Sequence, residues 1–267
     1  MKEYNKEAFK VAALYAILGA LWIYFSDSLA SLLARTPEDL TSLAMYKGWG
    51  YVIVTSLLLF VLLQRRILRI YKSKSEVIQA YDETMEALSF ALDLKDRETT
   101  WHSKRVTELA VKIAKTMGLE EEQIVHLRRG AMIHDVGKMG IPDSILLKPG
   151  ALSEEEAEIM KRHPSYANDM LSKIKYLKPA LEIPYCHHER WDGSGYPRGL
   201  KGEDIPLSAR IFMVADVLDA LTSDRPYRVA ITHDDAIAEI KKGRGRLYDP
   251  AVVDVVVELS ARGQLSV

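Results

Sequence analysis

The chain has 267 residues, room for one large domain or one medium domain with an appendage. Its 36 basic and 37 acidic side chains leave a formal net charge of -1, which excludes the strongly basic surface that duplex nucleic acid requires. A single cysteine, Cys186, excludes a disulfide framework and a cysteine zinc knuckle, and fits a reducing compartment.

Val11 to Phe25 is apolar throughout, and Trp49 to Leu63 is a second apolar run broken only by Thr55 and Ser56. With their flanks these runs predict two transmembrane helices, at about 8–26 and 48–64, in a membrane module covering 1–70. Trp22, Tyr24 and Phe25 leave the first run, and Tyr46, Trp49 and Tyr51 enter the second, which places aromatic side chains at one common interface. A buried core helix pair has no use for such a belt. Cleavage of the first run as a signal would still leave the second as an anchor. Arg65, Arg66, Arg69, Lys72 and Lys74 follow the second run, whereas the connecting loop has few basic residues. The positive-inside rule therefore puts both ends in the cytoplasm.

Tyr71, Lys74, Ile78, Tyr81, Met85, Leu88 and Leu92 alternate in steps of three and four. This seam predicts a helical linker over 71–95 that pairs two copies as a parallel dimer. The competing reading is one helix packing its stripe on the domain that follows.

From 96 to 267 the patterning stays helical. Thr99 to Met117 presents Val106, Leu109, Ala110, Ile113 and Ala114 on one face, with Gly118 as its C-cap. Glu120 to Ile133 is a second helix, and Ser153 with Glu156 forms the capping box of a third. Pro179 to His188, Pro206 to Leu221, His233 to Lys242 and Pro250 to Ala261 complete the series. No run alternates with period two, so the fold class is all-α, preceded by the two transmembrane helices and the helical stalk.

Four of the seven histidines, His134, His163, His187 and His188, lie between 134 and 197. Glu98 and His102 are four apart and share a helix face. With Asp135 and Asp216 they form a set of nitrogen and oxygen donors too large for one cation. Two or three divalent ions fit better, with Asp135 as the bridge. The absence of thiolates suits iron, manganese, nickel or zinc. Such a set points to metal-assisted phosphoester hydrolysis. Lys138 stands four residues beyond His134, where it can neutralise a phosphate oxygen. Arg225 and Arg228 suit a bidentate grip on phosphate, with a solvated loop as the plain alternative. His126 and His233 read as helix-surface residues outside the site, and Cys186 as a packed thiol.

These residues resemble the HD-GYP family, a branch of the HD superfamily of metal-dependent phosphohydrolases. The resemblance runs from about Ala80 to Leu259. It rests on His134-Asp135-Val136-Gly137-Lys138, His163-Pro164, the stretch His187 to Pro197, Ala215 to Thr222, Arg225-Pro226-Tyr227-Arg228 and Tyr248-Asp249-Pro250. It implies an HD-type helical catalytic domain over 96–267 that hydrolyses cyclic di-GMP to linear pGpG, and in some members on to GMP. It also implies that His134, Asp135, His163, His187, His188 and Asp216 hold metals, iron or manganese ahead of zinc or nickel. Glu98 and His102 match a third metal position. Asp135 and Lys138 would carry the chemistry, while Lys138, Tyr196, Asp219, Arg225 and Arg228 match substrate-side positions. Tyr248 stands where phenylalanine is common. The implied setting is the bacterial inner membrane with the catalytic domain in the cytoplasm. A second copy is the implied dimer partner, and a GGDEF-domain protein is another. The competing functions are a phosphohydrolase for another nucleotide, such as ppGpp, and a non-catalytic nucleotide-binding adaptor.

Overall fold

The computed structural model describes residues 2–96, 102–224 and 229–265, whose regular elements are helices, with no strand among them. Glu98, Arg225 and Arg228 lie outside the described residues. The chain divides into two compact units, Met1–Val77 and Ile78–Val267.

In the first unit, helix α1 (Lys2–Leu33) turns through three residues into α2 (Pro37–Asp96), whose first forty-odd residues complete this unit. The turn is written in the local sequence. Thr36 caps α2 by accepting from Asp39 N at 3.1 Å, Asp39 Oδ2 accepts from Thr36 N at 3.1 Å, and Pro37 fills the first helical position. Tyr51 packs between Tyr15 and Trp22, with ring centroids 6.5 and 6.1 Å apart. Lys47 pairs with Asp27. Phe9–Leu33 and Pro37–Asp96 are both long and apolar enough to cross a membrane. Their apolar side chains, Ile17, Leu21, Ile23, Ile53, Leu57 and Phe60 among them, are exposed.

The second unit opens with the last turns of α2 and continues through α3 (His102–Thr116), α4 (Glu121–Met132), α5 (Asp143–Leu146), α6 (Glu154–Met160), α7 (His163–Leu171), α8 (Glu182–Cys186), α9 (Leu207–Thr222), α10 (His233–Lys242) and α11 (Pro250–Ala261). Helices α3, α4, α9, α10 and α11 enclose the main core, where Val106, Ile113, Leu127, Phe212, Leu218, Ile240 and Val253 are buried. The apolar stripe expected on α3 is buried as a whole. Gly118 ends it with φ 79° in a Schellman turn, in which Leu119 N donates to Ala114 O at 3.1 Å. Ser153 and Glu156 form the expected capping box of α6.

Two expectations need correction, and one helix goes beyond them. The single helix expected over 179–188 is two short pieces, a 3-10 turn at Lys175–Ala180 and then α8. Pro179 sits in the first, and Pro184 falls in the opening turn of α8, where its missing N–H leaves no hydrogen bond unmade. Helix α7, opened by Pro164, was not expected. The seam after Tyr71 also divides. Met85 and Leu92 are buried inside the chain, Met85 against Ile133, Val136, Ala167 and Leu171. Asp82, off the expected seam, accepts from Arg129 Nε at 2.9 Å and from Tyr176 Oη at 3.2 Å. Tyr71, Tyr81 and Leu88 remain exposed. The competing reading, a stripe packed on the domain that follows, therefore holds for the last turns of α2.

Candidate metal centre

Three histidines are prepared as ligands by a common device. His134 Nδ1 lies 2.9 Å from Ala131 O, His163 Nδ1 2.8 Å from Met160 O, and His187 Nδ1 3.0 Å from Ile183 O. A carbonyl oxygen only accepts, so each Nδ1 carries the proton and each Nε2 is left with a lone pair facing inward. His102 differs, because its Nδ1 meets the Asp219 carboxylate at 2.7 Å.

The backbone brings these rings together in three steps. Helix α4 ends at Met132, and His134 and Asp135 follow at the mouth of the 3-10 turn Val136–Gly140. Gly137 in that turn has no side chain because α7 presses against it, and a Cβ there would overlap His163 O. The N-terminus of α7 thus delivers His163 beside Asp135. Helix α8 delivers His187 and His188 at its C-terminal end, and α9 delivers Asp216 from the side.

Two groups result. Asp135, His163, His187 and His188 offer ligand atoms within 4.8 Å of one another, and so do His102, His134 and Asp216. Asp135 faces both. Its Oδ1 is 3.3 Å from His163 Nε2 and 3.6 Å from His187 Nε2, while its Oδ2 is 3.0 Å from His134 Nε2. His102 Nε2 lies 3.4 Å from Asp216 Oδ1. Lys138 Nζ bridges Asp135 Oδ2 at 2.7 Å and Asp96 Oδ2 at 2.6 Å.

The electrostatics suit cations. Burial alone would raise the Asp135 carboxyl, but His134 and Lys138 hold it well below the ordinary carboxylate range. Asp216 is likewise lowered against its burial, chiefly by His102 beside it. Burial pushes His163 down to about 4 and, with His187 and His163 beside it, His188 well below its usual value. Both rings are therefore neutral at pH 7. Burial also acts to lower His134, yet the Asp135 carboxylate outweighs it and the ring is raised. Buried neutral imidazoles packed round ionised carboxylates, with no thiolate, are the donor set of a divalent cation site.

All the expected metal residues that the structure describes, His102, His134, Asp135, His163, His187, His188 and Asp216, fall in these groups. Tyr196 stacks on His188, centroids 4.7 Å apart at 26°. Its loop folds back so closely that a Cβ on Gly195 would sit 2.5 Å from Glu189 Cα and His188 O. Asp219 is the exception to the expected substrate side. It is 1 % exposed, and its carboxylate is taken up by His102 and Arg105. His126 and His233 lie outside both groups, 4.0 Å from Glu122 and 3.1 Å from Ser260. Burial pushes the Cys186 thiol up to about 11, so it is packed, not reactive.

Sequence reading missed three supporting residues. Glu189, buried, accepts from Arg198 N at 2.8 Å and Leu200 N at 2.9 Å, which shapes the loop that carries Tyr196. Its signal was an acid inside the run His187-His188-Glu189. Asp96 steadies Lys138, and Arg105 steadies Asp219, across gaps no local pattern reveals.

An all-α domain whose helix ends converge on a buried histidine and aspartate cluster defines a metal-site class, and comparison with known proteins places it. The HD domain family matches residues 86–252, more than half of the chain, and the chain belongs to that family. It is 45% identical over 199 residues to the protein named cyclic di-GMP phosphodiesterase response regulator RpfG of Xanthomonas campestris, covering 74% of this chain and 52% of that one. It is 42% identical over 203 residues to a protein named cyclic di-GMP phosphodiesterase of Thermotoga maritima, covering 74% and 55%. The chain thus spans about half the length of these curated relatives. A solved Vibrio cholerae structure, described as a cyclic GMP-AMP specific phosphodiesterase, shares the fold with TM-score 0.51 and 23% identity, over 67% of this chain and 48% of that one.

Proposed function

We propose that the chain is a cyclic di-GMP phosphodiesterase of the HD-GYP branch, anchored in the bacterial inner membrane with its catalytic domain in the cytoplasm. The observation that carries this reading is Asp135, one carboxylate whose two oxygens face two separate groups of buried donors. The named activities of the relatives support the substrate. The unbroken run His187 to Pro197, with Tyr196 stacked beside the centre, supports the branch.

His163, His187 and His188 would hold one cation with Asp135, and His102, His134 and Asp216 a second. Divalent ions there supply Lewis acidity toward a phosphoryl oxygen and make water a nucleophile at neutral pH. Iron and manganese lead, and where a third ion binds, His102 would join Glu98 on it and leave the second to His134, Asp135 and Asp216. Lys138, already paired with Asp135, keeps that carboxylate ionised and presents its ammonium to a phosphate oxygen. Burial pushes the Tyr196 hydroxyl up to about 12, so it stays a donor and does not repel an anion. Arg225 and Arg228 would grip the second phosphate. The exposed apolar faces of α1 and the front half of α2 meet lipid, and the basic run from Arg65 to Lys74 holds the following domain inside. The exposed part of the seam pairs two copies, and a GGDEF-domain protein is a further partner.

The test offers cyclic di-GMP, cyclic GMP-AMP and ppGpp separately to full-length protein purified without oxygen, and resolves the products by chromatography. Conversion of cyclic di-GMP to pGpG, with GMP following where a third ion binds, is expected. Turnover of ppGpp alone, or nucleotide binding without hydrolysis, would replace this reading.

A further inference from the structure

Among the described residues, His102 sets its Nδ1 against a carboxylate, where His134, His163 and His187 meet backbone carbonyls. The arrangement follows from helix periodicity. Arg105 lies one turn after His102 on α3, and Asp219 one turn after Asp216 on α9. With the two helices packed together, His102 reaches Asp216 with Nε2 at 3.4 Å and Asp219 with Nδ1 at 2.7 Å. Arg105 closes the set from the solvent side. Its Nε donates to Asp219 Oδ1 at 2.7 Å, and Nη2 to Asp219 Oδ2 at 3.1 Å and to Ser223 Oγ at 3.3 Å.

A buried carboxylate against an imidazole N–H does two things. It fixes the tautomer and ring angle, and it makes the other nitrogen a stronger donor. The Arg105 fork holds both oxygens of this buried carboxylate and so fixes the direction in which it meets His102. Among the described residues the Asp219 carboxylate meets His102 and Arg105 and not His163, His187 or His188, so its influence falls on one group.

We propose that Arg105 and Asp219 are positioning residues that hold His102 with its proton on Nδ1, and thereby set the affinity of the His102, His134 and Asp216 group separately from the other. This rests on the two-cation reading above, and the test keeps the two apart. Full-length protein in detergent, carrying 15N-labelled histidine, is stripped of metal, and the His102 signals are identified by their loss in His102→Gln. Nδ1 protonation is expected in the wild type and its loss in Asp219→Asn. The same proteins are then titrated with Mn2+ without oxygen. Asp219→Asn should weaken one of two bound ions about 10–100-fold and leave the other unchanged, and Arg105→Lys should weaken the same ion by less. A tautomer that Asp219→Asn leaves unchanged, or two ions weakened equally, overturns the proposal. Should Asp219→Asn fail to fold, Arg105→Lys decides, by selective weakening or by none. A wild type that takes up no Mn2+ sinks the two-cation reading, and the tautomer measurement alone then judges the clamp on the ring.

Discussion

At the scale of single residues, the centre is built by withholding protons. His163 has an ordinary pKa of 6.5 that burial brings to about 4, so the folded chain keeps this ring neutral where the unfolded chain protonates it. Between those values the unfolded state binds more protons, and stability falls as pH drops from about 6.5 to 4. The full difference is about 3 kcal/mol. Asp135 and Asp216, both lowered, add losses further down in pH as they take up protons, and His134, raised, acts in the opposite sense. The difference between wild type and His163→Gln isolates the one ring. Urea midpoints of metal-stripped protein should fall more steeply from pH 6.5 to 4 in the wild type than in the variant. Parallel curves would mean that His163 is not held neutral by its surroundings. Most of these residues were legible in the sequence because imidazole and carboxylate are uncommon in cores. Arg105 and Glu189 were not, because what they support is chosen by folding and not by spacing.

At the scale of elements, close approach of backbone does much of the positioning. Gly195 lies against the backbone of 188–190, and Gly195→Ala must push the loop outward and lift Tyr196 from His188. The expected result is a loss in kcat/KM of about 10²-fold with a melting temperature within a few degrees of wild type. An unchanged kcat/KM would remove Tyr196 from the substrate side. The last turns of α2 make a second contrast. Met85→Ala empties a buried site among Ile133, Val136 and Leu171 and should cost the second unit about 2–4 kcal/mol by chemical unfolding. Tyr71→Ala removes an exposed ring and should leave that stability alone while weakening self-association of the chain in light scattering. A monomeric wild type would leave the exposed part of the seam without the second copy proposed for it. The long helices were legible here because their apolar periods run for several turns and their caps are local. Helix α7 was not. Nine residues with Ala167 and Leu171 as its buried apolar pair carry too little period to read, and Pro164 resembles a break before it is seen to be a start.

At the scale of the whole molecule, the two units differ in where their apolar side chains lie. Exposed apolar side chains line the helices of the first, while the second buries its apolar residues round a charged centre. The sequence displayed this division in its hydropathy, and it displayed the helical class by the absence of alternation. It could not display how seven donors 114 residues apart, from His102 to Asp216, divide into two groups, since that follows from the packing of α3, α4, α7, α8 and α9. One carboxylate, Asp135, faces both groups. Metals per chain and cyclic di-GMP turnover are therefore to be measured together on full-length wild type and Asp135→Ala, purified alike without oxygen. Wild type should carry at least two divalent ions per chain, and Asp135→Ala should lose at least one of them and at least about 10³-fold in rate. Metal content and rate equal to wild type in Asp135→Ala would contradict a shared carboxylate and, with it, the two-cation hydrolase.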